Sequence, residues 1–122
     1  KNNLVGEIFS PNDHPSNHDR QMNYEKKLTQ LSGGHVTIKK ETDIVEINGK
    51  EFTTPAALGD MSSAERKYFL MGNLAAAYDH GENKKAATNR NGTVYLGDQA
   101  IMTPVEGDES ADALVKRLNA IK

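Results

Sequence analysis

The sequence contains no cysteine and no tryptophan. Without thiols there is no disulfide, no thiolate metal site and no cysteine nucleophile, while the compartment stays undetermined, since many secreted chains also lack cysteine. Charge of one sign is scarce too. The formal net charge is -2 and the pI about 6.1, so nothing draws the whole chain toward phosphate backbones or anionic lipid. No apolar run approaches the roughly 20 residues of a membrane span, and none has the build of a signal peptide. Phosphate cradles of the GxxxxGK[ST] or GxGxxG kind, a helical HExxH and a serine nucleophile elbow are all missing, and no cofactor is implied. No internal repeat and no low-complexity segment is legible. The chain opens at Lys1 rather than Met, as an excised domain or a processed product would. Its 122 residues are expected to form one domain that buries somewhat over roughly 60% of its unfolded surface.

What is present is organised around residues 62 to 81. Ser62 followed by Glu65 reads as a capping box, and Gly81 supplies the stop. Ala64, Tyr68, Met71, Leu74, Ala75 and Tyr78 share one face at helical spacing, while Phe69, Leu70, Ala76 and Ala77 lie around the other sides. A helix this apolar is either a core helix on all sides or a helix with a docking face.

In chain order, residues 1–16 are expected to be a flexible lead-in, with a short apolar stretch at Leu4 to Phe9 and then a loop rich in Pro, Asn and Ser. From about Asn17, the residues Tyr24, Leu28 and Leu31 recur at helical spacing until Gly33-Gly34. His35 to Lys39 and Ile44 to Ile47 read as strands, and Asn48-Gly49 is the strongest short hairpin signal. That two-residue turn sets Val45 opposite Phe52, Ile47 opposite Lys50 and Glu46 opposite Glu51. His80 to Asn91 reads as a long polar loop, followed by a hairpin of Thr93 to Leu96 with Gln99 to Met102 across Gly97-Asp98. Ala111, Leu114, Val115, Leu118 and Ile121 form the apolar stripe of a last helix. The fold class is therefore α+β: about three helices and two antiparallel strand groups, a three-stranded meander and a hairpin, packed around the central helix, with residues 17–122 as the single domain.

Chemistry-bearing residues are few. His14 and His18 have the spacing of a ligand pair, but Pro15 stands between them and a third ligand is lacking, so no metal site is expected. His35 and His80 could serve acid–base work if a cleft held either one. Glu46 and Glu51 would perturb one another if dry, yet Lys39 and Lys50 are near enough to neutralise them. Lys84, Lys85 and Arg90 form the one local positive cluster, without the flanking aromatics that stack on bases. Nucleic-acid contact there is possible but not favoured.

The order helix, three strands, helix over residues 17 to 80, with Ile47-Asn48-Gly49-Lys50-Glu51-Phe52 in the second strand pair, resembles a double-stranded RNA-binding domain. That resemblance implies lysines where the last helix meets RNA phosphates. Here the position reads Ser62-Ser63-Ala64-Glu65-Arg66-Lys67, with an acid in the middle and two bases, a departure that removes the main affinity term of such domains.

Two functional classes remain. The favoured reading is a non-catalytic protein-interaction or regulatory module, of the kind small bacterial or phage domains supply, binding a protein partner with Arg66, Phe69 and Asn73 on the second face of the central helix and with Lys84, Lys85 and Arg90 as further contact residues. The alternative is a small histidine-dependent hydrolase, such as a ribonuclease-type toxin domain, using His35 or His80 beside the basic cluster.

Overall fold

A computed structural model of the chain describes residues 17–40 and 42–122, with side chains in the first helix from Asn23 onward. The expected lead-in, residues 1–16, and the His14/His18 pair lie outside the described residues. The element order is α1 (Asn17–Leu31), β1 (Val36–Ile38), β2 (Val45–Ile47), β3 (Lys50–Thr53), α2 (Ser63–Asp79), a short 3-10 turn (Glu82–Lys84), β4 (Ala87–Arg90), β5 (Thr93–Leu96), β6 (Gln99–Met102) and α3 (Ala111–Ile121). Two three-stranded antiparallel sheets result, in the orders β1-β2-β3 and β4-β5-β6. The α+β architecture is the one expected, and the second strand group gains β4, which the polar stretch His80 to Asn91 concealed. Asn91 (φ 54) and Gly92 (φ 88) turn β4 into β5 with the same left-handed pair as Asn48 (φ 54) and Gly49 (φ 79) in the first sheet.

The central helix begins as its sequence dictates. Ser62 Oγ accepts from the Glu65 amide at 3.1 Å, and Glu65 Oε1 accepts from the Ser62 amide at 2.9 Å. Gly81 leaves the helix at φ 77. One expected pairing is corrected: Val45 lies opposite Thr53 rather than Phe52, although Glu46↔Glu51 and Ile47↔Lys50 stand as read. Phe52 is the extra residue of a β-bulge, and the irregularity lets Phe52 and Val45 both be fully buried. The second sheet repeats the device, with Val94 opposite Met102, Tyr95 opposite Ala100 and Ile101 as the bulge residue.

That coincidence is part of a larger one. Val45, Thr54, Pro55, Gly59, Asp60, Ser62 and Leu70 coincide in order with Val94, Thr103, Pro104, Gly107, Asp108, Ser110 and Leu118, with one residue fewer in the second loop. Ser62 and Ser110 are the N-caps of α2 and α3. The chain is thus two units of three strands followed by a helix, a repeat that the thin sequence identity hides. The units pack reciprocally: α2 lies on β1 and β2 of its own unit and on β6 of the other, while α3 lies on β4 and β5 and on β3. One core runs through both, with Phe52, Ile47, Leu74, Leu96, Leu114 and Leu118 fully buried. The first helix covers a flank of α2, where Tyr24 meets Tyr68 edge-on at 5.4 Å between ring centroids.

Candidate functional site

The reciprocal packing creates two equivalent grooves, each between one unit's helix and the other unit's last strand, and side chains fill them differently. The first, about 250 Å³, lies between α2 and β6 and is walled by Pro55, Leu58, Met61, Phe69, Leu70 and Met102. The second, about 400 Å³, lies between α3 and β3 and is lined by Phe52, Thr53, Thr54, Glu109 and Arg117. In the alignment of the two units, Met61 corresponds to Glu109 and Phe69 to Arg117.

Each bulge turns a main-chain carbonyl out toward its groove. In the second groove Arg117 meets that need: Nη1 donates to the Phe52 carbonyl at 2.6 Å, and the guanidinium forms a two-pronged pair with Glu109 at 2.5 and 2.6 Å. Arg117 holds the Glu109 carboxyl below its ordinary pKa, and Glu109 in turn raises that of Arg117. In the first groove the equivalent carbonyl, Ile101, accepts from Asn73 Nδ2 at 2.9 Å instead. Asn73 stands one helical turn beyond Phe69, so the position of Phe69 is released from any capping duty. Phe69 is 63% exposed and Leu58 48% exposed.

Arg66 forms one wall of this groove but is not a free cation. Only 9% exposed, its guanidinium donates to the Ala56 carbonyl at 2.6 Å and to Asp108 Oδ2 at 2.8 Å. The Asp108 side chain is fully buried and also accepts from the amides of Ala56 at 2.7 Å and Val105 at 2.9 Å. Burial pushes the Asp108 carboxyl up, yet those amides and Arg66 outweigh it and hold the group below the usual carboxylate range. Arg66 and Asp108 therefore lock the loops at the groove's end. Lys67 is likewise buried, with Nζ 3.0 Å from Asp43 and 4.6 Å from the centre of the Tyr68 ring. The two bases at the site of the RNA-binding resemblance are thus both committed inside the fold.

Of the basic cluster Lys84, Lys85 and Arg90, the last two converge on Asp98. Lys85 pairs with Glu82 at 3.2 Å and Asp98 at 3.4 Å. Arg90 reaches the Gly97 carbonyl at 2.9 Å and Asp98 at 3.2 Å, with its guanidinium 4.5 Å from the centre of the Tyr95 ring. Asp98 is correspondingly held below its ordinary pKa by Arg90 and Lys85. Lys84 lines a separate polar depression of about 450 Å³ with Gln30, His35, Tyr78 and Asp79. In that depression His35 stacks on Tyr78 at 4.8 Å, and its Nδ1 faces Asn48 Oδ1 at 2.6 Å. Asn48 Nδ2 donates to the main-chain oxygens of Ile121 and Lys122, which fixes the amide's orientation and puts the proton of the His35–Asn48 bond on Nδ1. His80 is exposed, and its nearest charged neighbour is Asp79 at 3.7 Å. Among the described residues no cluster of three or more His, Asp or Glu could hold a metal ion, and no helix is long and apolar enough to cross a membrane.

Sequence reasoning placed Phe69, Arg66 and Asn73 together on α2, and all three line the first groove. It missed Leu58, Met61 and Met102, which come from a loop and from β6. Met61, directly before the N-cap Ser62, was the available signal, because an apolar residue there commonly packs back on the first turns of its helix. No protein-family model, curated protein or solved structure matches the chain.

Proposed function

We propose that the chain is a non-catalytic interaction module that docks a protein partner in the groove between α2 and β6, with Phe69 as its anchor. The observation that carries this reading is the non-equivalence of Phe69 and Arg117. At one of two equivalent positions the side chain caps a carbonyl and pairs with Glu109; at the other it does neither, and a large aromatic ring stands 63% exposed beside an apolar wall. Exposed apolar clusters of this kind mark interaction surfaces, and aromatic anchors commonly account for about 2 kcal/mol or more of binding energy when truncated. At about 250 Å³ the groove falls below the roughly 300–1,000 Å³ of small-molecule sites, a size suited to a few apolar side chains of a partner.

The test is a random-peptide display selection on the wild-type protein with counter-selection on Phe69→Ala. The expected result is a set of binders that the variant fails to hold while its melting temperature is unchanged. A selection that yields no Phe69-dependent binder sinks the reading. The histidine-dependent hydrolase keeps one supporting observation, the depression shared by His35, Tyr78 and Lys84. Its own assay is RNA cleavage, which His35→Ala would abolish and Phe69→Ala would spare.

A further inference from the structure

We infer that the occupant of the Phe69 groove is a basic amphipathic helix, an inference that rests on the docking reading and names the class of partner. Two observations carry it, one about charge and one about the main chain.

The charge around the groove is one-sided. Asp60 directly precedes Met61 of the groove wall, Glu65 directly precedes Arg66 and stands one helical turn before Phe69, and Glu106 follows Thr103 by three residues; all three are exposed. None of them belongs to an ion pair among the described residues. The two cations of the same region, Arg66 and Lys67, are buried and already paired with Asp108 and Asp43. Among the described residues the partner thus meets an apolar floor with acidic neighbours and no unpaired positive charge on the groove wall, so its complementary surface is apolar with Lys or Arg alongside. The same acidic neighbours argue against a second copy of this chain. Face-to-face pairing through Phe69 would bring two sets of carboxylates together.

The main chain decides the shape of the partner. Adding an extended strand to β6 requires free carbonyls along its edge. Ile101 O already accepts from Asn73 Nδ2 at 2.9 Å, and Ala100 O accepts from Gln99 Nε2 at 3.0 Å. With the edge capped by side chains, recognition falls to side chains entering the groove from a partner that satisfies its own backbone. An amphipathic helix presenting apolar residues at successive turns does this, its basic residues reaching the acidic neighbours.

The experiment uses the Phe69-dependent peptides from the display selection. They are expected to be helical when bound, to carry excess Lys and Arg beside an aromatic or aliphatic stripe, and to lose affinity as salt rises. Asp60→Asn and Glu106→Gln, neither of which lines the groove, should each weaken binding about two- to fivefold. Phe69-dependent peptides that are neutral or acidic, that bind as strands, or that ignore both charge variants overturn the basic-helix inference and leave the groove itself standing. Self-association abolished by Phe69→Ala would make a second copy the occupant, and a large gain in peptide affinity on deleting residues 1–16 would make it the chain's own leading segment; either overturns the inference. The absence of any Phe69-dependent peptide overturns the docking reading beneath it.

Discussion

Phe69 and Arg117 stand at the same place in two equivalent helices, one turned out to solvent and the other locked onto Glu109 and the Phe52 carbonyl. This equivalence means that the closed arrangement can be moved across. The double variant Met61→Glu with Phe69→Arg is expected to fold with stability within about 1 kcal/mol of the parent, the usual range for an exposed pair. It should lose every Phe69-dependent binder. Unfolding of the double variant, measured by denaturant titration, would show that the two units are not interchangeable there.

Phe69 and Leu74 lie on the same helix and should respond oppositely to truncation. Leu74 is fully buried, so Leu74→Ala is expected to cost about 2–5 kcal/mol. For Phe69→Ala the expected loss of stability is under about 0.5 kcal/mol. Chemical denaturation of both variants checks the contrast, and a Phe69→Ala protein that unfolds would place that ring in the core.

Asp108 gives the protein a specific acid sensitivity. Its carboxyl is held below the usual range because the Ala56 and Val105 amides and Arg66 outweigh the opposing effect of burial. A depressed folded-state pKa means that its stabilising contribution is complete above about pH 4, the unfolded value, and is lost as pH falls through the lower folded value. Asp108→Asn is expected to cost about 3–5 kcal/mol at neutral pH, since Arg66 is left buried without its counter-charge. Below pH 4 the gap between variant and parent should close. A gap that stays constant down to the acid transition would contradict this account.

Gly97 and Gly49 occupy the two-residue turns of equivalent hairpins, yet only one has room for a side chain. A methyl group on Gly97 would sit 3.0 Å from the Glu82 carbonyl oxygen, whereas around Gly49 there is open space. Both have positive φ, at 59 and 79. Gly49→Ala should therefore cost about 1 kcal/mol from backbone strain alone, and Gly97→Ala about 2–3 kcal/mol because the turn must also move off Glu82. Equal melting temperatures for the two variants would argue against the close approach.

The central helix, its capping box, the first hairpin and the last helix were legible because each is written in local signals. Strand β4 was not, since Ala87 alone is buried and Thr88, Asn89 and Arg90 face solvent, which leaves no apolar alternation to detect. The sequence nevertheless contained the marker, because Asn91-Gly92 is the same dipeptide as Asn48-Gly49. The bulge at Phe52 has no sequence signature; it follows from burying Val45 and Phe52 together. For the candidate site, the exposure of Phe69 could be read from its angle on the helix, but the burial of Arg66 could not. Its partner Asp108 lies 42 residues away, as Asp43 lies 24 residues from Lys67. Charges that the fold pairs across such separations look free in a sequence.

The exchange of helices between the two units has a consequence for how the protein comes apart. Cutting the chain after Lys84 would strip β3 of α3 and β6 of α2 at once, exposing both bulge carbonyls. Each fragment is therefore expected to lose its sheet, the two units to melt as one, and the fragments to regain structure only when mixed, which circular dichroism of the separate and mixed fragments checks. A single unit of this design, standing alone, would have to borrow a helix from a twin.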